Sequence, residues 1–269
     1  MKGKFVGMNL KSKYLIIILA VIIIKINFSI NVKAEEYSRF NNISIEDGLS
    51  QATVETMMQD SKGYIWLGTN DGLDRYNGYT FKKYSYEKGQ ENSLVNSYIL
   101  DIKEDSEGNI WVATAAGISK IYNDGEKVQN YTSDSESGNL SNDNTTTMLI
   151  SNSNKIYVGT AEGINLYDKK TDKFNLIYPE LKEEYVNSLT EDKYGNIWAG
   201  TENGLYKINV VTNAIERFES TDDVNTISEN YIYKVYYDGD KHIWIGTYDN
   251  GFCKLNIENN KVTRYLLTR

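Results

Sequence analysis

One phrase recurs five times along this chain. It reads GYIWLGTNDGLDRY from Gly63 to Tyr76, then GNIWVATAAGISKI, NKIYVGTAEGINLY, GNIWAGTENGLYKI and KHIWIGTYDNGFCKL. Its aromatic residue falls at Trp66, Trp111, Tyr157, Trp198 and Trp244, at intervals of 45, 46, 41 and 46 residues. All four tryptophans of the protein stand in this register. A period of this length, with no helical pattern inside it, marks a propeller of four-stranded blades.

The rest of each unit keeps the same register. An apolar pair three residues apart precedes the phrase: Val54/Met57, Ile99/Ile102, Thr145/Met148, Val186/Leu189 and Ile232/Val235. A second pair follows it: Phe81/Tyr84, Val128/Tyr131, Phe174/Ile177, Ile215/Phe218 and Val262/Tyr265. Between them the Gly-, Asn- and Asp-rich turns suit tight hairpins. Each unit therefore reads as strands A (YILDIKED), B (IWVAT), C (GISKIY) and D (KVQNY). The fold class is all-β, an antiparallel propeller with repeats at about 48–92, 93–139, 140–181, 182–226 and 227–269.

In this reading the recurring phrase is scaffold. The aromatic residue fills the wedge between neighbouring blades, and a small residue two positions later lets the next sheet approach. Gly72, Gly117, Gly163, Gly204 and Gly251 make the B–C turn. Residues 37–43 align with the D strands but have no A, B or C before them, so they read as an orphan closing strand. Five whole units plus one orphan do not close a ring. The expectation is an incomplete ring, belonging to the front of a longer protein. The alternative is a small secreted propeller of five blades.

Residues 1–34 have the order of a signal peptide. Four lysines lie in MKGKFVGMNLKSK, the apolar run YLIIILAVIII follows, and Val32 and Ala34 precede a cleavage point. An uncleaved signal anchor is the alternative, and either one places the remainder, 35–269, outside the cytoplasmic membrane. Six of the 29 Lys+Arg precede Glu35 and none of the 37 acids does, which leaves 23 against 37, a net −14. Such a surface repels nucleic acid and anionic lipid.

The single His242 and single Cys253 exclude a structural zinc site and an internal disulfide, and leave one candidate for any histidine-based triad. His242 reads as an exposed turn residue and Cys253 as a packed thiol. The D-x-x-G turns before strand B lack the spacing and terminal Glu of a calcium loop. No catalytic residue, metal site or cofactor is expected.

One class of position is different. Strand A opens at Thr53, Tyr98, Asn144, Tyr185 and Tyr231, around the mouth of the central channel and beside the B–C turns. Tyr98, Tyr185 and Tyr231 are the candidate binding residues, able to stack on a sugar ring or an aromatic ligand. One residue class along the same strand, Thr56, Asp101, Thr147, Ser188 and Lys234, supplies only one acid to the channel.

The units resemble two-component regulator propeller repeats, whose phrase has the form G-x-I-W-x-G-T-x-x-G-L. The opening from Phe40 to Tyr84 is especially similar to the usual entry into such a domain. The resemblance implies the extracytoplasmic sensing part of a membrane histidine kinase or a GGDEF-type diguanylate cyclase. The kinase or cyclase activity would belong to a C-terminal region beyond Arg269. The expected partners are a small ligand such as a saccharide, another propeller, or a second copy in a homodimer. A secreted carbohydrate-active propeller and a protein-interaction scaffold are the rival readings.

Overall fold

A computed structural model of the chain describes residues 42–134 and 139–265. The leader at 1–34 and most of the 37–43 segment lie outside the described residues. Asn42 and Ile43 form no strand.

The described chain is all-β, as the repeat predicts, and forms five four-stranded antiparallel sheets in chain order. Blade 1 holds β1 (Val54–Gln59), β2 (Ile65–Thr69), β3 (Gly72–Tyr76) and β4 (Phe81–Tyr84). Blade 2 holds β5 (Ile99–Glu104), β6 (Ile110–Thr114), β7 (Gly117–Ile121) and β8 (Val128–Tyr131). Blade 3 holds β9 (Thr145–Ile150), β10 (Ile156–Thr160), β11 (Gly163–Asp168) and β12 (Lys173–Ile177). Blade 4 holds β13 (Val186–Glu191), β14 (Ile197–Thr201), β15 (Gly204–Ile208) and β16 (Ile215–Phe218). Blade 5 holds β17 (Ile232–Tyr237), β18 (His242–Thr247), β19 (Phe252–Asn256) and β20 (Val262–Tyr265).

Packing between blades follows from the period-2 alternation of strands, which gives each sheet two faces. The front face carries the phrase aromatic and the back face carries the A-strand pair. At the first junction Trp66, Leu73 and Tyr84 of blade 1 pack on Ile99, Ile102, Ile110, Val112 and Ile121 of blade 2. At the fourth, Trp198 and Leu205 pack on Ile232, Val235, Ile243 and Ile245 of blade 5. Contacts between innermost strands run from β1 to β5, β9, β13 and β17 in turn.

Two small residues of the phrase are dictated by geometry. A Cβ on Gly200 would lie 2.6 Å from the Ile232 side chain of the next blade, and one on Gly68 would lie 2.6 Å from Ile99. Gly117 sits at φ +118°, where its Cβ would also meet the Tyr131 carbonyl oxygen at 2.5 Å.

The D-x-x-G turns are anchors for the tryptophans. Asp60, Asp105 and Asp192 accept the indole N–H of Trp66, Trp111 and Trp198 at 2.7, 2.8 and 2.8 Å. Each also accepts backbone N–H groups of its own turn, as Asp105 does from Glu107 and Asn109. Their lone pairs are thus committed within the fold. In blade 5 the Nδ1 of His242 lies 2.8 Å from Asp238 Oδ2. His242 is therefore half-buried and bonded to its turn, not an exposed turn residue. Burial works to raise the Asp238 pKa. The N–H groups of His242, Asp240 and Lys241 together with the His242 ring overcome it, and hold the carboxyl well below its usual range. Cys253 is buried in the blade 4–blade 5 core and touches Ser228.

Candidate functional site

Register brings the strand-A openers and the B–C turns together. The N–H of the residue after the phrase threonine donates to the opener's carbonyl in four blades. Ala115 donates to Tyr98, Ala161 to Asn144, Glu202 to Tyr185 and Tyr248 to Tyr231, at 3.0 to 3.3 Å. Each bond sets an opener beside the B–C turn of its own blade.

The result is one cavity of about 670 Å³ bordered by all five blades. Tyr98, Tyr185 and Tyr231 line it, together with Asn144, Glu202 and Tyr233. Glu55 on blade 1 and Lys234 on blade 5 lie on its wall. Tyr98 is 41% exposed, so its ring is open to an incoming molecule. The Asn144 amide donates to the Tyr185 hydroxyl at 3.3 Å. Tyr231 stacks on Tyr248 with centroids 4.9 Å apart and planes 10° apart. Burial, and then the Glu202 carboxylate beside it, raises the Tyr231 phenol above its ordinary value. That phenol is a hydrogen-bond donor at any physiological pH.

Chemically the cavity offers flat aromatic faces, the amides of Asn144 and Asn187 and two carboxylates, with one ammonium. This set can stack on a planar or pyranose-like ring and hydrogen-bond its edge. Among the described residues no group of three or more His, Cys, Asp and Glu could hold a metal ion. Glu202, Tyr248 and Glu55 were not singled out by sequence. The signal that could have found the first two is their place immediately after the phrase threonine.

Asp101, the lone acid of its class, is committed to the scaffold. It accepts the Met148 N–H of the next blade at 2.8 Å and the ammonium of Lys103. Ser188 makes the equivalent link, accepting the Val235 N–H at 3.2 Å. The Asn187 amide donates to the Ile232 carbonyl at 3.0 Å. These links tie the innermost strands of neighbouring blades directly below the cavity wall. The second large groove, of similar volume, lies along Lys82–Leu94 and has no comparable set of aromatic rings.

The sequence pattern of the family described as "Two component regulator propeller" matches residues 48–71, 93–116, 180–203 and 226–249. The four matched segments are similar to two-component regulator propeller repeats. The matches fall on blades 1, 2, 4 and 5; blade 3, whose phrase carries Tyr157, has the same four strands without a match. A histidine kinase, P4, from Formosa agariphila is 42% identical over 57 residues, which is 21% of this chain and 4% of that protein. Among solved structures, the extracellular domain of the hybrid two component system BT3049 of B. thetaiotaomicron is similar at TM-score 0.58 and 20% identity, over 85% of this chain and 37% of that one. That of BT4673 from the same organism gives TM-score 0.53 and 22% identity, over 86% and 35%. A streptogramin B lyase gives TM-score 0.65 and 15% identity, over 87% and 74%. At these identities the structural likenesses speak for the fold. The chain spans little more than a third of either extracellular domain. No helix among the described residues is long and apolar enough to cross a membrane.

Proposed function

We propose that this propeller is an extracytoplasmic sensor of two-component signalling, non-catalytic in itself, and that it binds a small ring-bearing polar ligand of the saccharide class at the tyrosine-lined mouth. The observation that carries the reading is the convergence of Tyr98, Tyr185 and Tyr231, from three blades, on one open cavity. A ligand there touches several blades at once. It can bias signalling only through a difference in affinity between two blade arrangements. The links from Asp101 to Met148 and from Ser188 to Val235 lie where such a difference would be felt. The leader and the likeness to extracellular domains support the extracytoplasmic placement.

Calorimetric titration of the protein with a panel of mono- and oligosaccharides tests the proposal. One saccharide should bind, and Tyr98→Ala and Tyr231→Ala should weaken it with little change in melting temperature. Binding by no saccharide, or binding that both variants leave intact, would remove the assignment. Glu55 and Glu202 sharing the cavity favour one rival, a carbohydrate-active propeller. Release of a cleaved product in the same titrations would establish it.

A further inference from the structure

Blade 3 departs from the repeat at three neighbouring positions, and each change leaves a smaller side chain. In the other four blades the phrase tryptophan is flanked on two sides. The strand-C residue paired with it lays a cation over the indole: Arg75 over Trp66 at 5.6 Å, Lys120 over Trp111 at 4.9 Å, Lys207 over Trp198 at 5.4 Å and Lys254 over Trp244 at 5.5 Å. The D strand adds a ring, Tyr84, Tyr131, Phe218 or Tyr265, with its centroid 5.5 to 6.1 Å from the indole. Register puts Tyr157, Leu166 and Ile177 in these three places in blade 3. The aromatic residue has shrunk, the cation is gone and the second ring is gone. Among the described residues no ring stacks on Tyr157.

These three residues line one cavity of about 460 Å³, a volume that suits a small ligand. Val210 and Asn213, in the loop between β15 and β16 of blade 4, border it as well. Tyr178 and Pro179 form a further wall. Pro179, the one proline of the chain, opens a short turn there, and Tyr178 before it holds a left-handed backbone at φ +57°. Lys155 and Glu180 also line the cavity with opposite charges. Tyr157 is 2% exposed, yet among the described residues its hydroxyl has no hydrogen-bond partner. Every enclosed side-chain nitrogen and oxygen among the described residues is bonded, so this oxygen opens onto the cavity that its ring borders. Burial, then the Tyr178 hydroxyl and the Glu191 carboxylate, push its pKa up to about 12, which keeps it a donor.

We propose that the blade 3–blade 4 junction is a second ligand site, and that it takes a small uncharged aromatic molecule, of one or two fused rings, carrying one hydrogen-bond acceptor. The other blades set this chemistry. In each of them a ring packs on the phrase tryptophan, and here the ligand supplies that ring against Tyr157, Leu166 and Ile177. Its acceptor receives the Tyr157 O–H, the group that the described fold leaves unbonded, and a buried donor without a partner is costly. Lys155 and Glu180 balance one another, so a charged ligand gains nothing over a neutral one. The site shares no lining residue with the mouth cavity, so the inference is independent of the saccharide assignment.

Titration of the full chain with naphthol, followed by the methyl NMR shifts of Leu166, Ile177 and Val210, provides the test. The three sets of methyls should move together and saturate. Tyr157→Phe should weaken binding by about 5-fold, the worth of one neutral hydrogen bond. Leu166→Lys and Ile177→Tyr restore the residue types of the other blades. Each should fill the cavity and abolish the saturable shift at the remaining methyls, with circular dichroism unchanged; if one of them fails to fold, the other decides. Decalol, the saturated analogue with the same hydroxyl, should bind about 3-fold more weakly or worse, since it cannot stack. Four results would overturn the proposal. No saturable shift at these methyls would show that the cavity takes no such ligand. A shift that persists in the folded filling variants would put the ligand elsewhere. Binding that Tyr157→Phe leaves at full strength would remove the hydroxyl from the site. Decalol binding as tightly as naphthol would reduce the cavity to an apolar gap without aromatic preference.

Discussion

Replacing Asp105 with alanine should be among the most damaging single changes in the protein, although the residue touches no ligand site. Its carboxylate accepts the Trp111 indole N–H at 2.8 Å and the Asn109 side-chain amide at 3.0 Å. It also accepts the backbone N–H groups of Glu107 and Asn109, each at 2.9 Å. Trp111 is fully buried and Asn109 is 5% exposed, so neither the indole nor the Asn109 backbone can turn to water. A buried donor left without a partner costs about 1–3 kcal/mol. Two such donors set the loss at about 2–6 kcal/mol, a large share of the 5–15 kcal/mol that holds a typical domain folded.

Urea unfolding gives the assay, with the midpoint read at constant m-value. The internal control is Asp238→Ala in blade 5. There the carboxylate serves a half-buried histidine whose ring can turn to solvent, and the adjacent Trp244 is itself half-exposed. Asp105→Ala should therefore cost clearly more than Asp238→Ala. Equal costs, or a loss below about 1 kcal/mol for Asp105→Ala, would refute the argument that burial of the indole N–H makes this turn essential.

Trp111→Ala should cost on the order of 3–5 kcal/mol, the range for a truncated buried aromatic, while Trp244→Ala should cost markedly less; paired urea melts decide it. Gly200→Ala should destabilise through the clash with Ile232, whereas Gly246→Ala should be nearly neutral, and thermal melts of the two distinguish them. Tyr98→Ala should leave the melting temperature within a degree or so of wild type, since surface changes are usually worth under about 0.5 kcal/mol, yet weaken saccharide binding in calorimetry. Asp238 has a folded pKa below its unfolded value of about 3.9, so its stabilising contribution is full above that pH and is lost as pH falls toward the folded pKa. The stability gap between wild type and Asp238→Asn should accordingly be largest near neutrality and shrink in acid, as pH-dependent urea midpoints would show.

Much of the fold was legible because a repeat states its packing rules several times over. The Asp that anchors the indole in blades 1, 2 and 4 was visible as a turn residue, while its acceptor role was not. Yet the chain holds the clue. Asp60, Asp105, Asp192 and Asp238 all stand six residues before a tryptophan, and blade 3, which carries Tyr157 and therefore no indole N–H, has Ser151 instead. His242 was misread because one histidine in one turn has no repeat to explain it. Its counterparts Asn109 and Asn196, which bond the same aspartate position, show what the place requires.

The candidate site was harder to read, for a related reason. Scaffold shows as sameness across blades and a site shows as difference, so Tyr98, Tyr185 and Tyr231 could be noticed against Thr53 and Asn144. Glu202 and Tyr248 also differ from their counterparts, but difference alone does not say what a turn residue faces. The N–H of each donates to the carbonyl of a strand-A opener, and that bond, absent from any one-dimensional pattern, is what brings them to the mouth. The same limit applies to the ends of the blade series. Trp66, Trp111, Trp198 and Trp244 are written alike, yet three are buried and the fourth is half-exposed. A repeat records the face each blade presents; whether another blade meets that face is not written in the repeat, and shows only in the burial of the aromatic residue.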